Sequence, residues 1–138
     1  MLHARHSCVS LMGEGGDWMT QLRGRHILIV EDEAAIAIDL AQLLADHGAT
    51  IVGPIGTVPE ALRSIASLQP DCAVLDINLG GESVRAVAEA LANAGVPFVF
   101  VTGYSNERVP QQYRDRPVLQ KPYNASQLLA ALASAIAT

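Results

Sequence analysis

The sequence predicts an α/β domain: a five-stranded parallel sheet, doubly wound by helices, in strand order 2-1-3-4-5. Three observations carry this. Five short apolar runs alternate with helical segments, the pattern of βα units joined by right-handed crossovers. The run Cys72-Ala73-Val74-Leu75 drives into Asp76 and is bounded by turn signals, as a strand buried on both faces is. The chain has 138 residues, 50% hydrophobic and 4% aromatic, enough for one domain with an aliphatic core. The strand order is the usual one for five such units rather than something the residues dictate.

Each element has a local cause. Residues 1–24 carry Gly13, Gly15 and Gly16 without sustained periodicity; they are expected to be a disordered leader, with the domain spanning 25–138. His26-Ile27-Leu28-Ile29-Val30 is the first strand and ends in Glu31-Asp32-Glu33. The helix that follows runs through His47, with Ile36, Leu40, Leu43 and Leu44 on one stripe, Ile38 off it, and Gly48 as its stop. Residues 50–54 make a short second strand. Thr57 and Glu60 have capping-box spacing, and Val58, Ala61, Leu62, Ile65 and Leu68 form the inward face of the next helix.

After the Asp76 strand the chain turns on Gly80-Gly81. Ser83 can cap a third helix whose inward residues are Val84, Val87, Ala88 and Leu91. Residues 96–102 are the fourth strand, with Pro97 tolerated near its start. The connector 103–116 contains Gly103, Ser105, Asn106 and Pro110, so its helix is expected to be short or mobile. Residues 117–120 form the fifth strand. Asn124 opens the last helix, with Leu128, Leu129, Leu132 and Ile136 facing inward.

Composition narrows the partners. A net charge of −5 without a basic stripe argues against direct nucleic-acid binding. No apolar run approaches the ~18 residues of a membrane span, and no signal-peptide core is present, so no membrane contact and a cytoplasmic location are expected. The two Cys give no disulfide framework, the four His form no metal-ligand spacing, and the protein is expected to be monomeric.

The strand ends carry the chemistry. In a parallel sheet they share one edge, which gathers Glu31, Asp32, Asp76, Thr102 and Lys121. Each has an ordinary reading alone: charges at a helix N-terminus, a strand-end Thr, a surface Lys. Together they are three carboxylates in one pocket. At ~4 Å and an effective dielectric near 20, each like pair costs roughly 4 kcal/mol, which a divalent cation relieves. Oxygen ligands without His or Cys favour Mg²⁺. Lys121, the only Lys in the chain, supplies a point charge for a phosphoryl oxygen; Thr102 offers a hydroxyl, and Gly103 leaves its backbone N–H open.

On these residues the chain, over about 25–137, resembles the receiver domain of two-component response regulators. The acidic pair Glu31-Asp32, Asp76, Thr102 and Lys121-Pro122 match its motif positions. Phe100-Val101-Thr102-Gly103-Tyr104 is similar to the Phe-Ala-Thr-Gly-x-Tyr subfamily, often stand-alone receivers, with Val101 in place of Ala and the Tyr one place early. Val118 stands where many receivers carry an aromatic switch residue.

The resemblance implies a flavodoxin-like receiver fold and a phosphoacceptor rather than an enzyme. Asp76 would take a phosphoryl group from a sensor histidine kinase. Mg²⁺ would be held by Glu31 (through water), Asp32, Asp76 and the Asn78 carbonyl. Lys121 and Thr102 would bind the phosphoryl oxygens, while Tyr104 would limit water access. A cis Lys121–Pro122 bond would aim the Lys. Because the sequence stops after the fifth helix, output is expected through an unknown downstream protein or as a phosphate sink. Two alternatives stand beside this: a phosphatase of the haloacid-dehalogenase type, which would want Asp where Asn78 is, and a pseudo-receiver that binds without being phosphorylated.

Overall fold

The structure, a computed structural model, describes residues 22–79, 82–103 and 109–137. The elements are β1 (His26–Val30), α1 (Ala34–Asp46), β2 (Thr50–Ile55), α2 (Val58–Leu68), β3 (Cys72–Asp76), β4 (Asn78–Leu79), β5 (Glu82–Ser83), α3 (Arg85–Asn93), β6 (Phe98–Thr102), β7 (Val118–Gln120) and α4 (Ala125–Ala137). The main sheet has order β2-β1-β3-β6-β7, every pair parallel. β4 and β5 form a separate antiparallel ribbon just after Asp76, which the sequence reading did not anticipate. With the ribbon set aside, the order is the expected 2-1-3-4-5.

Strand alternation divides the core in two. Leu28, Val30, Leu75, Phe98 and Phe100 face α2 and α3. Ile27, Ile29, Val74, Val99 and Val101 face α1 and α4. The central strands β3 and β6 are buried along their whole length, which is why they read as continuous apolar runs. The edges are β2, which carries Pro54, and the three-residue β7, both poor templates for further pairing.

The helix starts follow their side chains. The Glu60 N–H donates to Thr57 Oγ1 at 3.4 Å. The Arg85 N–H donates to Ser83 Oγ at 3.1 Å. Asn124 and Gln127 cap each other's backbone N–H groups at 2.8 and 2.9 Å. Ile38 is 64% exposed, off the stripe as expected. Several expected inward positions are less buried than their spacing suggests, Val58, Leu62 and Ile136 among them at half-burial. Leu68 is 58% exposed because α2 ends on it and Gln69 turns left-handed (φ 48°), leaving the last turn off the sheet. On α1, Ala37 is buried with Leu40 and Leu44, while Ile36 and Leu43 are only half-buried.

The described residues begin at Leu22, which is fully buried and belongs to the core cluster that includes residues of α1 and α4. The rest of the expected leader lies outside the described residues, as does Tyr104.

The β6–β7 connector holds only a 3-10 helix, Gln111–Tyr113, among its described residues. This part is anchored. Val109 and Tyr113 are buried, and the Arg116 guanidinium lies over the Phe98 ring at 4.4 Å. The Tyr113 and Arg116 N–H groups donate to the Pro110 and Tyr113 carbonyls at 2.9 and 3.0 Å. Residues 113 and 116 are therefore expected to show amide exchange protection before any modification. Exchange there at the rate of an unstructured chain would mean the aromatic anchor does not hold.

Candidate functional site

Three strand ends converge. β1 pairs with β3 through Val30 and Leu75, so Glu31 and Asp76, the next residue on each, emerge side by side. Asp76 is opposite Val101 on β6, and Thr102 is one residue further along. Thr102 pairs with Gln120 on β7, and its carbonyl accepts the Lys121 N–H at 2.8 Å, which sets Lys121 just beyond the sheet edge. The Lys121–Pro122 bond is cis, as expected.

Glu31, Asp76 and Thr102 are buried, at 5%, 6% and 1% exposure, whereas Asp32 is exposed. Carboxylate oxygens of Glu31, Asp32 and Asp76 lie within 4.8 Å of one another. Lys121 Nζ is 3.5 Å from Glu31 Oε1 and 3.6 Å from Asp76 Oδ2. The other oxygen of each buried carboxylate takes a backbone N–H: Glu33 donates to Glu31 Oε2 at 3.2 Å, and Asn78 donates to Asp76 Oδ1 at 3.1 Å. The ribbon strand β4 thus holds Asp76 through Asn78. Gly103 is exposed, and none of the described residues comes within 4 Å of where its side chain would begin.

Burial pushes the Glu31 carboxyl up from the ordinary 4.5 to about 7, helped by its hydrogen bond and charge contact with Asp76. The Glu33 N–H and Lys121 only partly offset this. Partial burial also works against the Lys121 ammonium, but Asp76 and Glu31 outweigh it and hold Lys121 above the usual lysine value. The upward push on Glu31 is what elementary electrostatics expects of a buried carboxyl beside a second one.

A pH dependence follows. A carboxyl raised on folding stabilises the fold fully below its unfolded value, and that contribution fades as pH rises through the folded value. Metal-free stability is therefore expected to decline between about pH 4.5 and 7 on account of Glu31. Glu31→Gln should flatten that slope in a series of melting curves with chelator present. An unchanged slope would place the titrating group elsewhere.

The donor set fits a hard divalent cation: three carboxylates, no His or Cys, and one raised carboxyl that a bound cation would hold ionised. Sequence reasoning missed two contributors, the Glu33 N–H on Glu31 and half-buried Tyr123 beside Lys121, and it also missed the irregularity of β2 at Gly53-Pro54. A Gly-Pro pair inside a strand pattern is a bulge signal that could have been read.

The chain is similar to several known proteins. SdrG from Sphingomonas melonis Fr1, in its solution structure, is 46% identical with a TM-score of 0.74, over 83% of this chain and 98% of that one. A BeF3-activated conformation of SdrG is 47% identical with a TM-score of 0.69, over 80% of this chain and 95% of that one. The transcriptional regulatory protein PdtaR of Mycobacterium tuberculosis is 32% identical over 81% of this chain and 57% of its own length. The phyllosphere-induced regulator PhyR of Methylorubrum extorquens is 31% identical over 91% and 49% respectively. The chain thus spans about half the length of the curated relatives it matches. The response regulator receiver domain profile matches residues 27–133, and this chain belongs to that family.

Proposed function

We propose that Asp76 is the phosphoacceptor of this receiver and that a sensor histidine kinase is its donor. The observation that supports this best is the Asp76 carboxylate itself, buried at the end of a central strand, with an ammonium 3.6 Å away and two further carboxylates beside it. The BeF3-activated conformation known for SdrG points the same way.

Phosphoryl transfer asks little covalent chemistry of a protein and much positioning. An Asp76 oxygen attacks the phosphorus of a phosphohistidine, the P–N bond breaks, and an aspartyl phosphate forms. The Asn78 N–H fixes the carboxylate for that approach. Lys121, already facing Asp76, turns from a carboxylate oxygen to a phosphoryl oxygen. Thr102, one residue past Asp76's strand partner, supplies a hydroxyl for another and passes the change to Gly103 and the connector. Asp32, Asp76 and the Asn78 carbonyl, with Glu31 through water, would hold Mg²⁺, which neutralises phosphoryl charge when bound. Tyr104, next after Gly103, limits water access, and Pro122 aims Lys121. Output passes to a downstream protein.

The test is intact mass after incubation with an acyl-phosphate donor and Mg²⁺, and after exposure to candidate kinases. Gain of one phosphoryl group is expected; no gain under any condition would favour the non-phosphorylated alternative. Mg²⁺ alone should raise the melting temperature, since it relieves repulsion only in the folded state. Asp32→Ala should remove that rise. A variant that responds like wild type would show that the cation sits elsewhere.

A further inference from the structure

We propose that the Gly53–Pro54 bulge of β2 is a positioning element for the cation site, an inference that rests on the Mg²⁺ reading above. Neither residue touches the site. Their effect comes through the ladder between β1 and β2.

Leu28 pairs with Val52, but Val30 pairs with Ile55, so β2 has one residue more than β1 over this stretch. The extra residue sits where only glycine fits. Gly53 has φ +102°, and a Cβ there would lie 2.8 Å from the Ile55 nitrogen and 3.1 Å from the Ile29 carbonyl oxygen. The insertion also resets side-chain alternation, so Val52 and Ile55, three apart, enter the same core.

Two consequences reach the site. Past the bulge the Ile55 carbonyl accepts the Glu31 N–H at 2.8 Å, which holds Glu31 in register one residue beyond the end of β1. Gly56 then passes Asp32, where a Cβ would lie 3.5 Å from the Asp32 Cα. Without the extra residue, Ile55 would occupy the place of Gly56 and pack a branched side chain directly against Asp32. The bulge therefore ties down one carboxylate and puts a residue without a side chain beside the next, the use to which bulges beside functional sites are put.

The test is Mg²⁺ titration of the full 138-residue chain, followed by the backbone amide signals of Glu33 and Asn78. Wild type, Gly53→Ala and Gly95→Ala are compared. Gly95 is the control: its φ is +73°, so alanine strains the backbone there, yet a Cβ meets nothing within 4 Å. Gly53→Ala is expected to weaken Mg²⁺ binding roughly tenfold or more, the scale for disturbing groups behind metal ligands. Gly95→Ala should be destabilised and bind as wild type. Should Gly53→Ala fail to fold, Gly56→Val takes its place, because it sets a branched side chain against Asp32. Wild-type affinity in the folded variant overturns the positioning role, as does an equal loss in Gly95→Ala. If wild type itself shows no Mg²⁺ response, the Mg²⁺ reading fails and takes this inference with it.

Discussion

Asp76→Asn is expected to reduce covalent phosphorylation to background while the domain stays folded. The amide nitrogen is no nucleophile, and the side chain keeps its volume in a buried position. The carbonyl oxygen can still accept the Asn78 N–H that Asp76 Oδ1 accepts. One buried charge also disappears beside Glu31, which removes the hydrogen bond and charge contact that help raise its pKa. Metal-free stability should therefore be no lower than in wild type near neutral pH. Phosphate incorporation by intact mass and a urea denaturation curve check both halves. Undiminished incorporation would move the acceptor to another residue.

Phe98→Ala should cost about 3–5 kcal/mol, the range for deleting a buried aromatic ring. Phe98 is fully buried at the start of β6. Its ring meets Phe100 and Tyr113 edge-on, with centroids 5.4 and 5.7 Å away, and carries Arg116 on its face. Against a total stability of roughly 5–15 kcal/mol, the loss is a large fraction, and Tm should fall by roughly 15 °C or more. Arg116→Ala, which removes only the cation, should cost about 1 kcal/mol. Denaturant midpoints at unchanged m-value measure both. A Phe98→Ala cost as small as that of Arg116→Ala would mean the ring cluster is not a packed core.

The parts of this molecule that obey a simple period were legible in advance. β3 and β6 are buried on both faces, so nothing interrupts their apolar runs, and a terminal Asp or Thr marks where each leaves the sheet. Once those ends are placed on one edge, Glu31, Asp32, Asp76, Thr102 and Lys121 follow without further knowledge of the fold. What stayed hidden depends on single backbone contacts. The β4–β5 ribbon is two residues per strand, too short to show alternation. The β2 bulge breaks alternation by design, so a period-2 reading ends the strand at Pro54 when it continues to Ile55. Leu68 fits the helical stripe of α2 by spacing, but spacing does not say where the sheet beneath the helix stops. Tyr113 and Arg116 lie in a segment whose Pro and polar residues advertise a loop, and only the tertiary contact with Phe98 makes it an anchor.

Lys121 has a practical consequence for labelling chemistry. It is the only lysine in the chain, so amine-reactive reagents have one side-chain target, and that target faces Asp76 and Glu31. Those carboxylates keep the amine protonated and hence a poor nucleophile at neutral pH. Acylation should accordingly be slow, and whatever draws the carboxylates away should quicken it. A cation held by Asp32 and Asp76, with Glu31 through water, would do so, whereas a phosphoryl group on Asp76 would occupy the amine again. The acylation rate at Lys121, followed at that residue by peptide mapping, thus reads the occupancy of the site, with no other lysine to contribute.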